Sequence, residues 1–434
     1  MRKFLLSIAA LGAAMPFPAA ARETPSPSRL KATVEKLVSF GTRNTLSSAD
    51  DPARGIGAAR RWARAELDQI GKSCNGCIQT QTLSREFTGE RAPDGVNVVE
   101  ILGVQKGRHP NRVVIVMGHI DSRVTDVMDT KSDAPGANDD ASGVALVLES
   151  ARILSNEKFD ATIIYAINSG EEQGLWGATL LADTVKAKGW DVVAVLNNDI
   201  VGNTMGQNGV RVADRVRVFS EGIRASEDLQ QQMERRADGG EDDGPSRALA
   251  KAIDHVAEGL PGGLDVTMIR RPDRFGRGGD HLPFLALGYP AVRFSVGAEN
   301  YTEQHQDLRV ENGIEYGDTV DKMDFPYLAK VTAINVATIA RLAAAPDAPA
   351  SVTLKGAVDT DTTVEWTPVS GAAGYRVYWR PTAAQDWTHH VDVGADATTH
   401  VLKDVIVDDN FAGVAALSKD GAESLVTFGG RPRR

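Results

Sequence analysis

"RVVIVMGHIDS", residues 112–122, decides how this chain is read. Its apolar run is that of a strand buried on both faces, the kind found in a sheet covered by helices. The run ends on an imidazole, His119, and a carboxylate, Asp121, two residues apart. Side chains alternate across a strand with period two, so these two are expected to share one face. A metal ligand and its supporting group are often placed this way. A strand-end histidine capped by a nearby acid accounts for the fragment equally well.

Working outward, "VNVVEILGV" (96–104), "ATIIYAINS" (161–169), "VVAVLNNDIVG" (192–202) and "AVRFS" (291–295) read as further strands. "SRLKATVEKLVSFG" (28–41) and "GIGAARRWARAELDQIG" (55–71) carry apolar residues at three- and four-residue spacing and end at glycine, as amphipathic helices do. "ASGVALVLESARIL" (141–154) and "WGATLLADTVKAKG" (176–189) are helices between strands. Alternating buried strands and helices predict a three-layer α/β/α sandwich on a mixed, largely parallel sheet. The polar, glycine-rich "RRADGGEDDGPSR" (235–247) is expected to be a solvated surface loop.

The chain has 434 residues, too many for one typical domain core. Hydrophobic residues make up 42% and charged residues 24%, values of ordinary globular protein, for which disorder is not the default. Near Leu342 the texture changes to a proline-alanine linker, "AAAPDAPA" (343–350), expected to be flexible. Short strand patterns with turn residues between them follow, the signature of a small all-β sandwich. The pattern of Trp366, Tyr375, Tyr378 and Trp379 resembles a fibronectin type III module. His389, His390 and His400 lie in these strands and are expected to be ordinary strand residues. The division expected is a signal peptide over 1–21, a catalytic domain over 22–345 and the β-sandwich over 346–434.

"MRKFLLSIAALGAAMPFPAAARE" has a basic start, an apolar stretch and Ala19-Ala20-Ala21 before Arg22, the pattern of a secretory signal too short to span a bilayer. Its removal takes away Arg2 and Lys3 and no acid, moving the net charge from −10 to −12. The expectation is a secreted or periplasmic protein with no membrane span, and the acidity argues against nucleic acid as a partner. Cys74 and Cys77, the only cysteines, are too few to hold zinc, and after export a local disulfide is expected.

Downstream of His119 come "APGANDDASG" (134–143), "NSGEEQGLWGA" (168–178), "LNNDIVGN" (196–203) and "ENYTEQHQD" (299–307). Each alone is explicable as a turn, a cap or a solvent-facing acid. Together they put acids and histidines at the C-terminal ends of several strands, where an open α/β sheet forms its crevice. Mixed nitrogen and oxygen donors suit zinc. The motifs G-H-x-D-S, P-G-A-x-D-D-A-S-G, E-E, a strand-end D and a late H occur in that order over residues 28–345. In this the sequence resembles the zinc-dependent aminopeptidase family that also contains glutamate carboxypeptidases and glutaminyl cyclases.

The resemblance implies two zinc ions bridged by Asp139, with His119 and Asp199 on one and Glu172 and His305 on the other. It implies Asp121 as the residue orienting His119 and Glu171 as general base. Asp139, Glu172, Asp199 and a bridging hydroxide would balance the four charges of two Zn2+, and zinc lowers the pKa of bound water to about 7. Glu171 would take the proton of the attacking water and pass it to the departing amine. In "RFGRGGDHLPFLALGYPA" (274–291), Asp280 and His281 match a family S-D-H pattern with Gly279 in place of serine. His281 is the rival for the last ligand, but the family ligand follows the "GYPA" strand, as His305 does. Arg277 and Asp280 are candidate substrate contacts, with Arg274 a further cation nearby.

The function expected is an exported aminopeptidase acting on peptides with a free N-terminus. A carboxypeptidase or dipeptidase of the same architecture is the alternative, and a non-catalytic binding protein is the competitor from another class. Glutaminyl cyclases retain a single zinc, so a complete five-ligand set speaks against cyclisation. The C-terminal module is expected to contact a surface, a partner or its own catalytic domain, and to be dispensable for chemistry.

Overall fold

The computed structural model describes residues 22–432, so the signal segment expected over 1–21 lies outside the described residues. The first domain carries helices α1 (Pro27–Val38), α2 (Gly55–Ser73), α3 (Ala141–Leu154), α4 (Glu171–Gly174), α5 (Trp176–Ala187), α6 (Leu229–Asp238), α7 (Pro245–Glu258), α8 (Leu282–Ala286) and α9 (Phe325–Ala344). Its strands are β1 (Ile78–Gly89), β2 (Ala92–Gln105), β3 (His109–His119), β4 (Ala161–Asn168), β5 (Asp191–Asn198), β6 (Arg215–Phe219), β7 (Asp265–Ile269) and β8 (Ala291–Val296). They form one sheet in the order β1-β2-β4-β3-β5-β8-β6-β7, parallel through β4-β3-β5-β8 and antiparallel where β1, β2 and β6 join. This is the mixed, largely parallel α/β/α sandwich the sequence predicts.

The unbroken apolar run in β3 serves two cores at once. Val114 and Val116 pack with residues of α1, α3 and α9, whereas Val113, Ile115 and Met117 pack with residues of α5 and α8. Helix α3 starts because Asp140 caps it, its carboxylate accepting from the Gly143 amide at 2.9 Å. Gly118 and Gly143 let that first turn lie against β3, since a Cβ on Gly118 would come within 2.6 Å of the Gly143 carbonyl carbon. The acidic loop 134–140 is thereby pressed onto the end of β3.

Beyond residue 345 a three-stranded sheet (Val352–Lys355, Thr362–Trp366, Thr399–Leu402) faces a four-stranded one (His389–Gly394, Gly374–Pro381, Asn410–Leu417, Thr427–Phe428). Trp366, Tyr375, Val377 and Val414 fill the space between them. His389, His390 and His400 sit in its strands.

Two expectations change here. The linker is pinned: Arg112 pairs with Asp347 and donates to the carbonyls of Ala345 (2.6 Å) and Pro346 (2.9 Å). The 235–247 segment forms the end of α6, the seat of the β-sandwich and the start of α7, not a solvated loop. Asp243, 7% exposed, pairs with Arg380 of the sandwich at 2.6 Å and with Lys251 at 2.7 Å. Phe411 and Phe428 lie so close over Gly239 and Gly240 that a Cβ would meet their rings at 2.6 and 3.0 Å. Charge count in the sequence cannot show that a sandwich covers the segment. Cys74 and Cys77, at the end of α2, form the expected disulfide.

Candidate metal centre and active site

The candidate side chains sit at or just past the C-terminal ends of β3, β4, β5 and β8. β3 ends at His119, so Asp121 lies beyond the pleat rather than on it. The His119 ring Nδ1 donates to the backbone carbonyl of Asp121 at 3.1 Å and lies 3.6 Å from its carboxylate. That carbonyl assigns the tautomer and leaves Nε2 bare, facing Asp139 at 3.2 Å and Asp199 at 3.9 Å. The Asp121 carboxylate accepts instead from the amides of Glu172 (3.1 Å) and Glu171 (3.4 Å) and from Thr45 Oγ1 (3.0 Å). It therefore fixes the one-turn helix α4 that carries both glutamates.

Ligand-type atoms fall into two groups. His119, Glu171 and Asp199 form one, and Asp139, Glu172 and His305 the other, each with its atoms within 4.8 Å of one another. Asp139 joins them: its Oδ1 faces His119, and its Oδ2 lies 3.0 Å from His305 Nε2. Glu172 Oε1 is 3.1 Å from the same nitrogen. All five proposed ligands and Glu171 thus meet at one place. His305 is delivered by the loop after β8, with a left-handed φ of +54°. The rival His281 points elsewhere, its Nε2 lying 2.7 Å from the Pro272 carbonyl.

The donors fit a metal. Nitrogen and carboxylate oxygen are zinc's ordinary ligands, and His119 Nε2 and Glu172 Oε1 are buried without a hydrogen-bond partner among the described residues. Burial, Asp139 and other acids push the Asp199 carboxyl up to about 6. Burial also raises Glu171, with Glu172 and Asp199 adding to it. His305 is lowered by burial, but Glu172 and Asp139 outweigh that and lift it to about 10. So dense a buried set of acids calls for cationic compensation.

A cleft of about 400 Å³ opens onto this floor, lined also by Arg91, Arg123, Arg274 and Arg277. Arg277 is thus in the cleft, as expected. Asp280 is 1% exposed, accepts from Asn168 at 2.8 Å and is not part of the cleft lining.

Three supporting residues escaped the sequence reading. Asp318 accepts from the amides of Asn138 (2.9 Å) and Asp139 (2.7 Å). Arg43, fully buried, donates to the carbonyls of Ile120, Pro135 and Gly136. Arg293, fully buried in β8, pairs with Asp199 at 2.7 Å. Only Arg293 left a signal: a cation inside the apolar run "AVRFS" needs a buried carboxylate. Arg43 and Asp318 sit in loops of ordinary composition.

Fold and site together define a metal-dependent hydrolase built on an α/β/α sheet. The description of peptidase family M28 matches residues 97–312. A probable zinc metalloprotease of Leptosphaeria maculans is 44% identical over 88% of this chain and 90% of its own length. The chain belongs to peptidase family M28 and is a zinc metallopeptidase. Among solved structures, a leucine aminopeptidase precursor from Bacteroides thetaiotaomicron superposes with a TM-score of 0.53 at 16% identity, over 73% of this chain and 97% of its own. A glutaminyl cyclase from Porphyromonas gingivalis reaches 0.52 at 18% identity, over 74% and 99%. Hydrolase and cyclase share the fold, so specificity has to be argued from the site.

Proposed function

We propose that the chain is an exported aminopeptidase using two zinc ions. His119 and Asp199 would hold one, Glu172 and His305 the other, and Asp139 would serve both. The observation that carries this reading is the meeting of two ligand groups at Asp139, whose two oxygens face His119 and His305 at 3.2 and 3.0 Å. When bound, zinc polarises a scissile carbonyl and makes water acidic enough to attack near neutral pH. Glu171 takes the proton from the attacking water at its carboxylate and hands it to the departing amine nitrogen. Burial, which raises its proton affinity, suits the uptake of that proton. Asp121 holds the amides of Glu171 and Glu172, and Arg293 orients Asp199.

A free α-amine would offer its lone pair to the metal, and acetylation removes that lone pair. Export through residues 1–21 belongs to the same reading and is supported by the Cys74–Cys77 disulfide. A fibronectin type III-like identity for residues 346–434 is supported by their two packed antiparallel sheets. A carboxypeptidase or dipeptidase is the second reading, favoured by the arginines in the cleft, which could clamp a terminal carboxylate.

A defined peptide and its N-acetylated twin, digested by protein carrying its native metal, separate these readings by mass spectrometry. Stepwise loss from the free N-terminus, with close to two zinc ions per chain, is expected. Trimming from the C-terminus, or equal cleavage of the acetylated twin, overturns the aminopeptidase reading.

A further inference from the structure

The chain carries a net charge of −10, yet the walls of its cleft are cationic. Arg91, Arg123, Arg274 and Arg277 line it. An adjoining hollow of about 640 Å³ shares Arg274 and Arg277 and adds Arg217, Arg270 and Arg271. Arg270 is paired with Asp242 at 3.0 Å, and few other carboxylates outside the ligand set balance the rest. Glu299 is shared by Arg217 (2.6 Å), Arg277 (2.8 Å) and Arg274 (3.5 Å). Asp273 is shared by Arg274 (3.1 Å) and Arg293 (3.3 Å).

At the arginines beside Glu172 the imbalance is larger. Arg123 spends its guanidinium on the carbonyls of Val124 and Thr125, and its nearest carboxylate is Glu172, a proposed metal ligand, at 4.0 Å. Arg91 donates to the Glu172 carbonyl and, among the described residues, forms no ion pair within 4.0 Å. Arg271 lies over the ring of Phe275, which is 86% exposed at the mouth. Once the ligand carboxylates are committed to metal, these guanidiniums outnumber their partners. The planar fork of arginine matches a carboxylate in a way a lysine does not.

We propose that the preferred substrates carry a carboxylate next to the scissile bond, received by the arginines of the cleft, with Arg277 foremost. The inference rests on the exopeptidase reading above and narrows its substrate class. Arg277 is the best placed: it lines both hollows, and its side chain is 31% exposed. The carboxylate has two sources, an acidic side chain or the free C-terminus of a short peptide.

Three peptides separate the sources: Leu-Gln-amide, Leu-Glu-amide and Leu-Gln. Glutamine and glutamate are isosteric, so the first pair differs in charge alone. A charge-assisted contact at a partly exposed arginine gives about a tenfold gain in kcat/KM. Leu-Glu-amide, Leu-Gln or both are expected to exceed Leu-Gln-amide by that factor, and whichever gains names the source. Raising the salt from 0.05 to 0.5 M should shrink the gain, and Arg277→Gln should abolish most of it through KM. Salt dependence on the unaltered protein keeps the test independent of how the variant folds. Leu-Gln-amide cleaved as well as both others overturns this inference and leaves the peptidase reading standing. Failure to cleave any of the three by zinc-loaded protein overturns the exopeptidase reading and this inference with it.

Discussion

Replacing Asp243 with alanine removes the charge on which the two domains are joined. The carboxylate is 7% exposed and holds two cations, Arg380 at 2.6 Å and Lys251 at 2.7 Å. Arg380, 2% exposed, lies between the rings of Trp387 and Phe411, at 5.2 and 4.6 Å from their centres. Breaking a buried pair from one side costs about 3–5 kcal/mol, because the remaining charge is left uncompensated. Lys251 keeps a weaker partner in Asp242 at 3.7 Å, which puts the expected loss near the lower end, about 3 kcal/mol. That is a large share of the ~5–15 kcal/mol that holds a typical domain together. Urea unfolding followed by tryptophan fluorescence reads it out, since Trp387 lies against both cations. Arg380→Met, which leaves Asp243 paired with Lys251, should cost less. An Asp243→Ala protein that unfolds within about 0.5 kcal/mol of the parent, the range of an ordinary surface change, would refute the argument. The sandwich would then be loosely tethered, and a chain ending at Ala345 would be as stable as the whole.

Glu171→Gln should retain zinc and lose turnover by roughly 10²- to 10⁴-fold, the range of a general base, while Glu172→Gln should lose zinc itself. Metal analysis of both variants checks this, and equal zinc loss would mean the two roles are misassigned. Glu221 lies away from the cleft, and burial, with Glu227 adding to it, pushes its carboxyl up to about 7. A carboxyl whose folded pKa lies above its unfolded value favours folding when protonated, so the benefit is present below about 4.5 and lost as the pH rises through 7. Glu221→Gln should therefore raise the melting temperature at pH 8 and change it little at pH 4. An equal effect at both pH values would show that charge is not the cause.

Period and punctuation carried most of the central fold. β2, β3, β4, β5 and β8 are apolar runs long enough to read, and α3 announces itself by the Asp140 cap. The edge was harder. β1 is mostly exposed and alternates weakly, and β6 and β7 are five residues each, so local pattern could not separate them from loop. The site was legible where chemistry is concentrated: His119, Asp139, Glu171, Glu172, Asp199 and His305 stand at motif positions, and the structure brings them together. Asp280 matched a motif yet sits behind Asn168, because a motif fixes neighbours in sequence and not the direction of a side chain. The seat of the sandwich was invisible for a related reason. An acid facing water and an acid facing Arg380 are spelled alike.

The grip of Asp318 on the amides of Asn138 and Asp139 ties the segment that follows His305 back to the loop that carries Asp139. Arg43 clasps the carbonyls of that same loop from the other side. None of these bonds uses an atom offered to metal. The frame is therefore a clasp closed by the polypeptide alone. On the proposed reading, folding of this loop and occupancy of the metal site are therefore separable events.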